Sequence, residues 1–125
     1  MKTIGLIGGM SWESTAHYYR AINQETARRL GGLHSAALIV HSVDFAPIAE
    51  LQAAGDREAA GRQLAIIARN LQQAGAEIIG LATNTMHIVA DQISAAIEVP
   101  FVHIADPTSD ALLADGFDRV GLLGT

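Results

Sequence analysis

An α/β fold, with an open, mainly parallel sheet and helices on both faces, is predicted by three features of this sequence. Short β-branched apolar runs closed by Gly or small polar residues alternate with longer stretches rich in Ala, Leu, Gln, Arg and Glu at helical spacing. The apolar runs are near-continuous, as expected of strands covered on both sides rather than on one. Finally, 125 residues of which 50% are hydrophobic suffice for one core, and strict β-α alternation around one core defines this class.

The elements follow in order. "TIGLIG" at 3–8 reads as the first strand, and "GGMSWEST" at 8–15 turns it into a helix over 13–30. "AALIVHS" at 36–42 is the second strand, and "HSVDFAPI" at 41–48 closes it as a turn. A helix over 57–74 ends at Gly75, before the third strand "EIIGLA" at 77–82. "ATNTMH" at 82–87 opens a helix over 85–97, and Pro100 separates it from the fourth strand, "FVHIA" at 101–105. A helix over 108–115 ends at Gly116, and "RVGLLG" at 119–124 reads as a fifth strand. That last run echoes "TIGLIGG" at the start, both apolar-Gly-apolar-apolar-Gly. We therefore expect residues 1–117 to form one lobe and 118–125 to begin a second copy of it; Gly between aliphatics in a buried strand is the plainer reading.

Composition narrows the function. A net charge of −5 with eight scattered basic residues, Arg28-Arg29 the sole adjacent pair, gives no footprint for nucleic acid. No apolar stretch approaches the roughly 20 residues of a membrane span, and residues 1–3 lead straight into a strand with no signal-peptide core, so the cytoplasm is the expected compartment. The sequence has no cysteine, which excludes disulfides, thiolate metal sites and cysteine nucleophiles within it.

In an open α/β sheet ligands sit outside the carboxyl ends of the strands, which directs attention to the segments after Ile7, Val40, Leu81 and Ile104. In the first turn two glycines permit close approach, Ser11 fits an N-cap with Ser14 in range, and free N–H groups there suit a carboxylate or phosphate. The glycines do not form G-x-G-x-x-G and no Gly-Lys-Ser/Thr follows, so dinucleotide and Walker sites fit poorly. After the third strand, Thr83, Asn84 and Thr85 could cap a helix or grip a carboxylate. Asp44 reads first as an Asx-turn former and second as a base. His41, His87 and His103 lack metal-ligand spacing and read as satisfied core or cap histidines; no metal is expected. Trp12, Tyr18 and Tyr19 are read as packing against the sheet edge or a partner, and Arg57, Arg62 and Arg69 as a solvated helix face.

Together "IGLIGGMSWESTAHYYRAIN" at 4–23, "HSVDFAPI", "GLATNTMHIVADQI" at 80–93 and "VPFVHIAD" at 99–106 resemble, in order and spacing, the N-terminal half of the aspartate/glutamate racemase family, and most of all its broad-specificity amino-acid branch. The resemblance implies a cofactor-independent, PLP-independent racemase of two pseudo-symmetric α/β lobes, each contributing one cysteine on opposite sides of the substrate α-carbon. It implies that Met10 and Gln52 line the substrate pocket and that Thr83, Asn84 and Thr85 bind the α-carboxylate. The departure is Ala82, which stands where the family carries its first-lobe cysteine, and a methyl group carries no proton. The second cysteine and a substrate-gripping lysine would belong to the second lobe.

Two functions follow as expectations: a racemase lobe inactive as written, or a non-catalytic module binding a small carboxylate or amino acid. A nicotinamide-dependent oxidoreductase is a distant third. The partner expected is a small amino acid or dicarboxylate, with a second copy of the chain as homodimer partner because half of a two-lobed fold would expose its apolar cleft face. The lack of a basic residue between Asp44 and Gln52 favours broad or neutral substrates over strict aspartate specificity.

Overall fold

Four of the five expected strands form, side by side in one all-parallel sheet. The structure, a computed structural model describing residues 1–124, orders them β2 (Leu38–Ser42), β1 (Ile4–Gly8), β3 (Ile78–Leu81) and β4 (Phe101–Val102). Ile4 pairs with Leu38 on one side and Ile78 on the other, so β1 and β3 are the central strands. Among the described residues five α-helices connect them: α1 (Trp12–Leu30), α2 (Phe45–Ala53), α3 (Arg57–Gln73), α4 (Ala90–Ala95) and α5 (Ala105–Ala114).

Helices lie on both faces, as the continuous apolar runs require. On one face α3 buries a stripe of Ala60, Gly61, Leu64, Ala65, Ala68 and Leu71, in a core shared with Ile7 and Ile79. Each such Leu or Ile contributes about 1.5–3 kcal/mol by leaving water. Gly5 points the same way: a Cβ there would lie 2.8 Å from Ala76 Cβ, so glycine lets the α3 end lie flat on β1. On the opposite face Tyr18 and Ile22 of α1 and Pro107 of α5 flank an apolar groove of about 270 Å³ floored by Ile4, Leu6, Ile78 and Gly80. No helix among the described residues is long and apolar enough to cross a membrane.

Four departures from the sequence reading have local causes. The "HSVDFAPI" segment is a turn for two residues only, then α2: Asp44 accepts from Ala46 N at 3.2 Å as the N-cap, and Pro47 falls in the first turn, where its missing N–H costs nothing. The helix expected over 85–97 is divided into a 3-10 turn, Thr85–Val89, and α4. There the His87 ring occupies the Thr83 carbonyl, which an α-helix would offer to His87 N, and His87 N bonds Asn84 O at 3.1 Å instead. Helix α5 starts at Ala105, before Pro107 rather than after it, for the same first-turn reason. Residues 119–124 form no strand, because a strand needs a ladder partner and they pair with none among the described residues; Leu122 and Leu123 stand 94% and 99% exposed. Thr125, the last residue of the expected 118–125 segment, lies outside the described residues.

Candidate functional site

The central position of β1 and β3 brings the segments that follow them together at the carboxyl edge of the sheet. Ala82 N–H donates to Ile7 O at 2.8 Å, extending the ladder one residue past Leu81, and Ala82 is fully buried. Beside it the β1 turn is held tightly. Gly9 N–H donates to the buried Thr15 Oγ1 at 2.9 Å, and that hydroxyl donates to Ser11 O at 3.2 Å. Ser11 caps α1 as expected, accepting from Ser14 N at 3.4 Å. Gly9 has φ +96°, and a Cβ there would run into the Val43 backbone, so only glycine admits the third loop, tied by Val43 N to Gly8 O at 2.9 Å.

The residues singled out in sequence are distributed as follows. Thr83 is half-buried, while Asn84 and Thr85 are exposed; Asn84 makes no side-chain cap bond to the 3-10 turn, so ordinary capping does not account for it. Gln52, from α2, donates through Nε2 to Met86 Sδ at 3.0 Å, which brings it alongside the Thr85–Met86 segment. Met10 lies in the core, 3% exposed, so its side chain backs the turn from inside. Thr85 and Ile88 separate two hollows. One, of about 200 Å³, is lined by Gln52, Asp56, Arg57 and Thr85; the other, of about 600 Å³, by Asn84, Thr85, Ile104, Thr108 and the 120–124 segment. Trp12 and Tyr19 of α1 remain exposed beside the edge strand β2, while Tyr18 packs in the groove on the sheet face.

Three residues carry more than the sequence disclosed. Thr15 fixes the first turn, and its signal was a Thr four residues after the capping Ser with two glycines ahead. Arg57 is exposed, as a solvated face requires, but it also starts α3 and lines the smaller hollow, whereas Arg62 pairs with Glu58 at 2.5 Å on the surface. His87 is 9% exposed, with both ring nitrogens engaged, Nδ1 2.7 Å from Thr83 O and Nε2 3.2 Å from Ile104 N. Burial pushes its pKa below the usual imidazole value, and the neighbouring His103 acts in the same direction, against the bond to Thr83. Among the described residues no group of three His, Asp or Glu side chains is placed to hold a metal.

Loops gathered at the carboxyl edge of an open parallel sheet place the protein in the class of α/β lobes whose ligands sit at that edge. Comparison with known proteins narrows the class. The Asp/Glu/Hydantoin racemase family model matches residues 7–125. The fold is similar to that of a Yersinia pestis protein assigned as an Asp/Glu racemase, with 55% identity and a TM-score of 0.92 over 94% of this chain and 51% of that one. An aspartate racemase homologue from Pyrococcus horikoshii matches at 35% identity and TM-score 0.81, over 93% of this chain and 50% of that one. A Picrophilus torridus aspartate racemase, at 21% identity and TM-score 0.75 over 94% and 49% of the two chains, shares the fold. The chain belongs to the Asp/Glu/Hydantoin racemase family, and it spans about half the length of the solved relatives it matches.

Proposed function

We propose that this chain is the first lobe of a cofactor-independent amino-acid racemase, with loop 82–85 as its α-carboxylate receptor, and that alone it does not racemise. The observation that carries this reading is the placement of Ala82, fully buried between the two central loops and followed directly by Thr83, Asn84 and Thr85. An amino-acid α-proton leaves only if the charge that develops on the carboxylate is held, and hydroxyl and amide donors fixed in advance do that without reorganising. A thiolate at residue 82 would take the proton, and a second thiol from another lobe would return one on the far side. Gln52 and Met10 would close the pocket from α2 and from the core. Residues 118–125 would lead into the second lobe, and the exposed Trp12 and Tyr19 favour a homodimer.

The test is exchange of the substrate α-proton into deuterated water. The chain as it stands is expected to show none with aspartate, glutamate or neutral amino acids. Ala82→Cys, joined to the second half of a full-length relative, is expected to restore exchange; a folded repaired protein that exchanges nothing refutes the racemase reading. The methyl group at residue 82 also supports a second reading, a module that binds small carboxylates without chemistry. That reading requires the repaired protein to stay inert while the unmodified chain still binds.

A further inference from the structure

The His87 ring admits a single protonation pattern. Its Nδ1 faces the Thr83 carbonyl at 2.7 Å, and a carbonyl only accepts, so Nδ1 carries the proton. Its Nε2 faces the Ile104 amide nitrogen at 3.2 Å, and an amide N–H only donates, so Nε2 presents its lone pair. Rotation of the ring is restricted by Phe101, 6.0 Å away between centroids, and by His103, edge-on at 4.7 Å. The ring is therefore a strut between the loop after β3 and the junction that starts α5.

The Thr83–Asn84 peptide is planar and trans, the one cis bond among the described residues being Met10-Ser11, so the Asn84 N–H points opposite to the Thr83 C=O. The carbonyl is drawn inward to a buried ring, which sends the N–H toward the exposed side of the loop, where Asn84 and Thr85 are exposed. We propose that His87 is a positioning residue that locks the Thr83–Asn84 peptide with its N–H turned toward a bound carboxylate. This rests on loop 82–85 receiving a carboxylate, as argued above. The imidazole touches no substrate and transfers no proton. It prevents a peptide flip that would put a carbonyl oxygen where an anion must sit. Burial, which favours the neutral ring, preserves the Nε2 lone pair that accepts from Ile104 N and so anchors the far side of the strut.

The two variants separate the two bonds. The Asn side-chain amide reaches as far as Nδ1, so His87→Asn keeps the donor to Thr83 O; the Gln amide reaches toward Nε2, so His87→Gln loses that donor and keeps a group near Ile104. Long-range ¹H–¹⁵N spectra of the wild-type chain should show His87 as the neutral Nδ1–H tautomer at pH 7.5; an Nε2–H tautomer overturns the lock. Amide spectra titrated with L-aspartate and L-glutamate should then show His87→Asn within about threefold of wild-type affinity and His87→Gln weakened about tenfold or more, the scale of a hydrogen bond to a charged group. Equal affinity in His87→Gln and wild type, or equal losses in both variants, overturns the positioning role. Should His87→Gln not fold, a loss of tenfold in folded His87→Asn overturns it and retention supports it. A wild-type chain that binds neither amino acid but shows the Nδ1–H tautomer overturns the carboxylate receptor and leaves His87 a strut only.

Discussion

Gly8→Ala should destabilise the protein far more than its chemistry suggests. Gly8 ends β1 without a positive φ, so alanine fits the backbone and would by itself gain about 0.4–1 kcal/mol from a less flexible unfolded chain. The obstacle is Thr15. An added Cβ would lie 2.5 Å from Thr15 Cγ2, 2.6 Å from Oγ1 and 3.1 Å from Cβ, against ordinary contacts of about 3.5–4.0 Å. Thr15 cannot retreat, because its backbone is in the first turn of α1 and its hydroxyl bridges Gly9 N and Ser11 O. Rotating the side chain strands the buried Gly9 N–H, at about 1–3 kcal/mol, and residual overpacking adds about 1–3 kcal/mol. The net cost is about 3 kcal/mol, which at an m-value of about 1.5 kcal/mol/M lowers the urea midpoint by about 2 M. Far-UV circular dichroism against urea measures it. In a Thr15→Ala background the two closest contacts vanish and of these three the 3.1 Å contact to Cβ is left, so the same change should cost under about 1 kcal/mol, a coupling of about 2 kcal/mol. A Gly8→Ala midpoint within about 0.3 M of wild type, or additive single and double variants, refutes the reasoning.

The other predictions concern charge and exposure. Because burial lowers the His87 pKa from 6.5, the unfolded chain binds its proton first as pH falls. Stability from this residue is thus complete above 6.5 and declines below it. Glu25, held at about 2 by Arg28 and Arg29 against an ordinary 4.5, acts only in the lower window. Urea midpoints should therefore fall from pH 7.5 to pH 5 in wild type and fall less in His87→Asn, and a wild-type midpoint that rises refutes the assignment. Arg57 lines the hollow with Gln52 and Thr85 and makes no ion pair among the described residues. Arg57→Ala should weaken L-aspartate binding about two- to fivefold, the worth of an exposed charge pair, and leave L-alanine unchanged; calorimetric titration showing equal losses contradicts it. Leu123→Ser, at a side chain 99% exposed, should change unfolding free energy by less than about 0.5 kcal/mol, and a larger loss in the same urea assay would mean the 120–124 segment is docked.

What the sequence disclosed and what it concealed divide by the range of the interaction responsible. The central strands were legible because burial on both faces imposes an apolar run that needs no knowledge of the neighbour, and α1 was legible because Ser11 and Ser14 cap it locally. Helix α2 was concealed by ambiguous chemistry: Asp44 and Pro47 begin a turn and a helix with the same first bonds. The fifth strand failed for the opposite reason, since its pattern is right but it makes no ladder among the described residues. The 3-10 turn at 85–89 was beyond reach because it hinges on one side chain competing with its own backbone for the Thr83 carbonyl. The same competition matters at the candidate site. Thr83 to Thr85 could be picked out from residue types alone, and Ala82 from the family resemblance, but the direction in which their peptide groups face depends on a histidine four residues from Thr83 and on the junction before α5, 17 residues beyond that histidine. A loop's composition states which donors it owns; only the contacts behind it state where they point, and for an anion receptor that orientation decides between attraction and repulsion.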